Sequence, residues 1–216
     1  VFCLFRGLGN VYEGQLQRSF TEDTICETVE GLLDTARAEK GLRRDTSFSD
    51  LQSARPEEWP QSLDFLFLVA DPNEGRQIKP ALNFHYARDL PVFATSYIYD
   101  GTPAPRRDQD LDGVHFLDLP WLLYEGTKLL RMAEETWPDG HGRYARLFAM
   151  GVHAYRLQAR LYLLRNLPDS ALPGVTGTLR LEGARLVRES DWALFRNGEA
   201  VPMSRVSDGR SDRTQY

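Results

Sequence analysis

Three short polar or aromatic motifs stand where apolar stretches end, and their side chains are of the types that hold small ligands. Carboxylate, amide and hydroxyl groups orient a ligand, and an aromatic ring gives it a contact surface. The same residues also suit helix caps and ordinary strand exits, so a ligand cleft and a structural role both stay open. The candidate cleft residues are Asp71, Asn73, Thr95, Ser96, Tyr97, Pro120 and Trp121.

A second candidate site lies in the segment 143–165, which the sequence predicts to be the longest helix. Arg146, His153, Arg156 and Arg160 fall on one face at helical spacing, with Ala149 between the first two. This basic stripe either keeps one face of a mostly buried helix in water or docks an acidic partner.

Signals for metal binding or catalysis are weaker. Residues 108–113 place acidic oxygens at alternate positions before a glycine, as in the first half of a calcium loop, but Leu119 stands where the bidentate glutamate belongs. Asp71, Asp118 and Glu125 suit caps better than a catalytic acid pair. The sequence has no zinc-type histidine spacing, nucleophile elbow, phosphate loop or dinucleotide turn. It therefore predicts no metal, no cofactor and no enzymatic activity.

The candidate cleft would be positioned by a parallel sheet. The almost continuously apolar run 63–70 is typical of a strand covered on both faces. Asp71 and Glu74 are then expected to form a capping box, with Pro72 in the first helical turn and a kink at Pro80. Residues 91–99 and 113–117 are the next predicted strands, and the charged, proline-containing segment 100–112 predicts a mobile or functional loop.

The flanking segments predict further elements. Residues 19–22 have capping-box spacing before an amphipathic helix, and residues 40–62 predict a surface connection. Helices are expected over 122–136 and 143–165, and a β-hairpin over 175–188. The apolar positions of the first helix are Ile25, Val29, Leu32, Leu33 and Ala36.

Composition excludes several classes of protein. The 216 residues are 42% hydrophobic, enough for a packed core, and the formal net charge of -5 argues against a nucleic-acid binder. No apolar run approaches the length of a membrane-spanning helix. The first residue is Val1, which suggests a fragment or processed product. Cys3 is a poor lipid-attachment site because Phe2 precedes it, and a disulfide with Cys26 stays open.

Seven ordered motifs resemble the LppC family of LpoA-type outer-membrane lipoproteins, which activate a penicillin-binding protein. In the first half they are DFLFLVA at 64–70, GRQIKP at 75–80, LPVFATS at 90–96 and LPW at 119–121. Downstream they are RLFAMGVHAYRL at 146–157, PGVTGTL at 173–179 and WALFRNG at 192–198.

The resemblance implies an α/β fold of the type I periplasmic-binding-protein-like kind, with Rossmann-like parallel sheet layers flanked by helices and an incomplete first lobe. Residues 1–20 stay unassigned, residues 21–121 form the second lobe, and residues 122–202 return to the first lobe. Residues 203–216 are expected to be a disordered tail. With part of its core uncovered, the chain is expected to be marginally stable or to self-associate.

By the same resemblance the function is that of a non-enzymatic regulator of peptidoglycan synthesis. It would bind a bifunctional class A penicillin-binding protein directly, in the periplasm, with its parent held at the outer membrane by a lipid anchor upstream of this chain. The alternative is a periplasmic solute-binding protein that grips a small metabolite between two lobes, with the candidate cleft residues as one wall.

Overall fold

The apolar run near residue 65 forms a central strand of a seven-stranded sheet. The computed structural model describes residues 2–5, 16–18, 65–85, 87–137, 144–167 and 170–204. The strands of this sheet are β1 Phe2–Phe5, β2 Leu16–Arg18, β3 Phe65–Leu68, β4 Val92–Ala94, β5 Val114–Asp118, β9 Asp191–Arg196 and β10 Glu199–Pro202. Their order across the sheet is β10-β9-β5-β4-β3-β1-β2, and β3, β4 and β5 are parallel.

One face of this sheet, called the inner face, holds the main core. Helix α1 (Pro72–Phe84) covers it with Ile78, Ala81 and Leu82. The rings of Phe116 and Phe195 stack there with centroids 4.9 Å apart. The inner-face residues are Leu66, Leu68, Val92, Ala94, Val114, Phe116, Ala193 and Phe195.

Helix α1 confirms the predicted capping box. The Asp71 carboxylate accepts from the amides of Asn73 and Glu74, and the Glu74 carboxylate accepts from the Asp71 amide at 2.8 Å. Pro80 lies inside the helix without ending it. The box therefore fixes where β3 turns into α1.

The segment predicted to be a loop, 100–112, contains short helical turns after a 3-10 turn at Ser96–Ile98. These turns are α2 (Pro105–Asp108) and a 3-10 turn at Gln109–Leu111. Buried Asp108 pairs with Arg76 on α1 at 2.6 Å. Asp112 accepts from the amides of Asn197 and Gly198 in the β9–β10 turn. Two acids of the calcium-like motif are thus used to hold the segment on the sheet.

Each predicted C-terminal helix is split in two. The first becomes α3 (Pro120–Leu123) and α4 (Lys128–Thr136), and the second becomes α5 (Ala145–Gln158) and α6 (Leu161–Asn166). A three-stranded antiparallel sheet follows: β6 (Ala171–Gly174), β7 (Gly177–Glu182) and β8 (Arg185–Glu189). Its β7–β8 pair confirms the predicted hairpin.

Residues 191–202, where the sequence predicts no strand, form β9 and β10. Strand β9 pairs antiparallel with β5, opposite the parallel neighbour β4, so the chain returns to the main sheet near its end. The division into lobes at residue 121 stays a prediction.

Some sequence predictions lie outside the described residues. They are the helix at 19–36, the connection at 40–62, the predicted tail at 203–216 apart from residues 203 and 204, and the side chains of Cys3 and Cys26. No described helix is long and apolar enough to cross a membrane.

The β9–β10 turn requires glycine at residue 198. Gly198 has φ +76°, and an added Cβ would collide with the carbonyl oxygen of Pro105. Gly183 in the β7–β8 turn has φ +62° but open space around it.

We expect Gly183→Ala to lower the free energy of unfolding by about 1 kcal/mol. Gly198→Ala should cost at least about 1 kcal/mol more, because backbone must also move. Urea unfolding of both variants measures this, and equal losses would contradict the tight turn.

Candidate functional site

The carboxyl ends of β3, β4 and β5 meet at one edge of the sheet, where open α/β folds bind ligands. Asp71 follows β3, Thr95 follows β4 and Asp118 ends β5. This edge contains the predicted cleft residues. It is also the place where α5 meets the sheet.

Arg146, in the first turn of α5, reaches across this edge. Its Nη2 lies 2.5 Å from Asp118 Oδ2, and its Nε donates to Asp118 Oδ1 at 3.2 Å. The same Nη2 donates to the carbonyl oxygens of Ser96 at 2.9 Å and Tyr99 at 2.7 Å. One guanidinium group therefore links α5 to the segment after β4 and to the end of β5.

The Asp118 carboxyl group is almost completely buried, with 1% of its side chain exposed. Burial raises its pKa above the usual value. Hydrogen bonds and charge from Arg146, the Leu119 amide and the charge of Arg188 act in the opposite direction. Arg146 thus stabilises the ionised form of a carboxyl group that the fold keeps from water.

The cleft residues after β3 contact other parts of the chain. Asp71 caps α1, as described above. The Asn73 side-chain oxygen accepts from Arg76 Nη1 at 3.0 Å and from Arg107 Nη2 at 3.1 Å. Together with the Arg76–Asp108 ion pair, these contacts tie the start of α1 to α2.

The cleft residues after β4 and β5 differ from one another in burial and in contacts. Thr95 precedes the 3-10 turn, and its hydroxyl oxygen is buried without a hydrogen-bond partner among the described residues. Ser96 gives its carbonyl to Arg146. Tyr97 is 64% exposed. Pro120 begins α3, and Trp121 is buried in the cluster beneath α5.

The basic stripe divides into an inner and an outer half. Arg146 is part buried at the sheet edge, and His153 is buried. Arg156 and Arg160 are exposed and line an open depression with Tyr155 and Gln158. The structure therefore does not bring the four side chains into one surface, and only the outer half faces solvent.

His153 fastens α5 to the small sheet. Its Nδ1 lies 2.5 Å from the hydroxyl oxygen of Thr176, and its ring packs so close to Gly174 that an added Cβ would collide with it. Burial lowers the pKa of His153 below 6.5, and the charges of Arg156 and Arg188 lower it further. The neutral ring therefore suits this contact.

Sequence reasoning did not identify Asp118 as the partner of Arg146, or Thr176 as the partner of His153. One signal was available. Residues 144–167 contain four arginines and no carboxylate, so a buried arginine on this segment must find its counter-charge elsewhere in the chain. Among the described residues, no group of three or more His, Cys, Asp and Glu side chains is placed to hold a metal ion.

Residues 20–198 match the family described as LppC putative lipoprotein. The penicillin-binding protein activator LpoA of Yersinia pseudotuberculosis is 28% identical over 146 residues, which cover 66% of this chain and 22% of that protein. The activator LpoA of Serratia proteamaculans is 30% identical over 146 residues, with the same coverage. The matched region is thus about a fifth of each relative's length.

Solved structures show the same likeness. Full-length LpoA from Haemophilus influenzae has a TM-score of 0.53 and 26% identity, covering 63% of this chain and 26% of that one. The LpoA C-domain from the same organism, described as a regulator of PBP1A, has a TM-score of 0.56 and 22% identity, covering 81% of this chain and 56% of that one. The predicted α/β, type I periplasmic-binding-protein-like fold class is confirmed.

Replacement of the Arg146 guanidinium group should show how much stability is lost when the buried Asp118 carboxylate has no partner. We expect Arg146→Met to lower the free energy of unfolding at neutral pH by about 2–4 kcal/mol, because it leaves a buried carboxylate unpaired. The pKa of Asp118, already raised by burial, then rises further. Since the folded state binds this proton more tightly, the loss should shrink as the pH falls.

The matched control is Arg180→Met, because Arg180 pairs with Glu189 while both side chains are exposed. It should cost at most about 1 kcal/mol at any pH. Urea unfolding of both variants at neutral and acidic pH provides the measurement. A loss for Arg146→Met that is no larger than the control, or that does not depend on pH, would contradict the role of Arg146.

His153 should make stability depend on pH in a different window. The pKa of His153 in the folded chain lies below 6.5, so the unfolded chain binds a proton first as the pH falls. The contribution of the neutral ring is complete above 6.5 and is lost as the pH falls through the folded pKa. We expect His153→Gln to lose less stability than the unaltered chain between neutral and mildly acidic pH. The measurement is the free energy of unfolding in urea at several pH values. An equal dependence of this free energy on pH in the variant and in the unaltered chain would refute the prediction.

Proposed function

Because the chain belongs to the LppC family, we propose that it is part of a non-enzymatic regulator of peptidoglycan synthesis. In this proposal it binds a bifunctional class A penicillin-binding protein directly and activates it. The relatives named as penicillin-binding protein activators support the regulatory role. The periplasm is the proposed compartment, with a lipid anchor at the outer membrane carried by the longer parent.

One observation of the site carries the proposal. Arg146 occupies the sheet edge with contacts to Asp118, Ser96 and Tyr99, which are groups that a small ligand would otherwise use. The edge is therefore held together by the protein's own side chains. Such an edge suits a rigid docking module better than a cleft that opens for a solute.

The alternative, a periplasmic solute-binding protein, requires the predicted cleft residues to face a ligand. Within the described part of the chain, Asp71 is occupied as a helix cap and Trp121 lies in a core cluster. Tyr97 is the cleft residue with the largest exposed ring. No contact among the described residues specifically favours the solute-binding function.

The docking surface in this proposal is the outer half of the basic stripe. Arg156 lies in the last turn of α5 and Arg160 directly precedes α6. Both are exposed and line the depression together with the exposed ring of Tyr155. Residues 144–167 carry no carboxylate, although the chain as a whole is acidic. A local basic surface with an aromatic ring fits an acidic patch on a partner, since complementary charge guides association.

Charge reversal tests this surface. We expect the double variant Arg156→Glu and Arg160→Glu to bind an immobilised class A penicillin-binding protein about tenfold more weakly, mainly through slower association. Biolayer interferometry at several salt concentrations measures binding, and a glycan-polymerisation assay measures activation.

The matched control reverses two exposed arginines elsewhere, Arg131→Glu on α4 and Arg185→Glu on β8. It makes the same change in net charge and should leave binding unchanged. Equal weakening by both double variants would contradict the assigned surface. If neither this chain nor its longer parent binds the synthase, the proposed function itself is wrong.

A further inference from the structure

Helix α5 carries a glycine in its exposed middle. Gly151 lies inside the helix, which runs from Ala145 to Gln158, and it is exposed. Glycine lowers the stability of a helix relative to alanine, because its backbone has more freedom to lose. No atom of the described residues lies within 4 Å of the place where a Cβ would stand. The described part of the fold therefore does not itself require the missing side chain.

Large apolar side chains surround this position. The neighbours of a residue on a helix surface are three and four positions away in each direction, which here are Leu147, Phe148, Ala154 and Tyr155. Leu147 is 62% exposed, Phe148 is 38% exposed and Tyr155 is 79% exposed. Ala154 is exposed as well. The missing side chain of Gly151 thus leaves a recess in an exposed apolar surface, called here the Gly151 notch.

The C-terminal end of the same surface is basic. Tyr155 borders the Gly151 notch and also lines the open depression together with Arg156 and Arg160. Neither arginine forms an ion pair with another described residue, and residues 144–167 contain no carboxylate. Because an unpaired guanidinium group is costly to bury, a partner that covers both the notch and the arginines has to bring a carboxylate of its own.

We propose that the Gly151 notch receives an apolar side chain from an acidic amphipathic helix of a partner protein. The inference rests on the proposed function, in which that partner is a class A penicillin-binding protein. A gap in the side chains of one helix lets a second helix approach closely and fill the gap with a side chain of its own. The apolar contact then supplies most of the binding energy, and the arginines guide association.

The spacing between the notch and the arginines constrains the partner helix. Arg156 follows Gly151 by five residues, which is about 8 Å along the axis of α5, and its long side chain reaches further. A partner helix that lies along α5 then carries its carboxylate about two turns, or roughly seven residues, from the apolar side chain that fills the notch.

Two other occupants fit this surface less well. A lipid surface is best contacted by protruding apolar side chains, whereas this surface is recessed at its centre. A second copy of the chain that docked through its own α5 would bring the same residues 144–167, which hold no carboxylate for the arginines.

Enlargement of residue 151 tests the proposal, because it should change stability and binding in opposite directions. Gly151→Ala and Gly151→Leu should both raise the urea concentration at the midpoint of unfolding, since alanine and leucine are better helix formers than glycine. Gly151→Leu should bind an immobilised class A penicillin-binding protein at least about tenfold more weakly, with Gly151→Ala between it and the unaltered chain. The matched control is Gln77→Leu, which adds a leucine to the exposed face of α1 and should leave binding unchanged.

The outcomes distinguish the notch from the proposed function. If the unaltered chain binds the synthase and Gly151→Leu binds it equally well, the notch is not the docking site and the proposed function stands. If the unaltered chain does not bind the synthase, the proposed function fails, and a designed helical peptide of leucine and glutamate at amphipathic spacing tests the notch by itself. Binding of this peptide that Gly151→Leu weakens supports the notch, and absence of binding overturns it.

Three further results would overturn the proposal by identifying another occupant. The first is binding of the unaltered chain to phosphatidylglycerol vesicles that Gly151→Leu strengthens, because a lipid surface gains from a protruding leucine. The second is a dimer in sedimentation velocity that Gly151→Leu dissociates, because a second copy then fills the notch. The third is a Gly151→Cys variant of the longer parent that does not react with a maleimide in the absence of the synthase, because the parent itself then covers the notch.

Discussion

The ion pair between Arg146 and Asp118 holds helix α5 against the edge of the main sheet. It joins α5 to the end of β5, and the same guanidinium group binds two carbonyl oxygens in the segment after β4. Asp118 is buried, so its charge requires this partner. This contact therefore closes the sheet edge and helps to fix the position of α5. The basic stripe is placed together with that helix.

The contact also explains the unusual composition of α5. Its small residues Ala145 and Ala149 let the helix approach the cluster around Trp121, while Arg146 and His153 find polar partners inside. The opposite side of the helix is apolar and exposed, with Leu147 and other large side chains in water. The large apolar side chains that α5 exposes beside Arg156 make this side of the helix suited to a further layer of protein.

Local patterns predicted the parallel strands, the capping box of α1 and the β7–β8 hairpin, because each depends on residues close in sequence. The Arg146–Asp118 pair joins residues far apart in the chain, and helical spacing alone placed Arg146 in a surface stripe. Strands β9 and β10 were missed for a related reason. Ala193 and Phe195 face the core while Trp192 and Leu194 lie on the other face, so the run lacks the apolar and polar alternation of a half-buried strand. The positions of the cleft residues at strand ends indicate one edge of the sheet, whereas their partners are far apart in sequence and were not predictable.

Nitrogen-15 NMR of the side-chain Nε–H of Arg146 measures most directly whether this guanidinium group permanently fills the sheet edge. We expect this resonance to be protected from solvent exchange and to lose its protection in Asp118→Asn. It should not shift when mixtures of amino acids, sugars and peptides are added. A resonance that exchanges freely with solvent, or one that shifts on addition of a metabolite, would contradict the claim and restore a ligand-binding cleft at this edge.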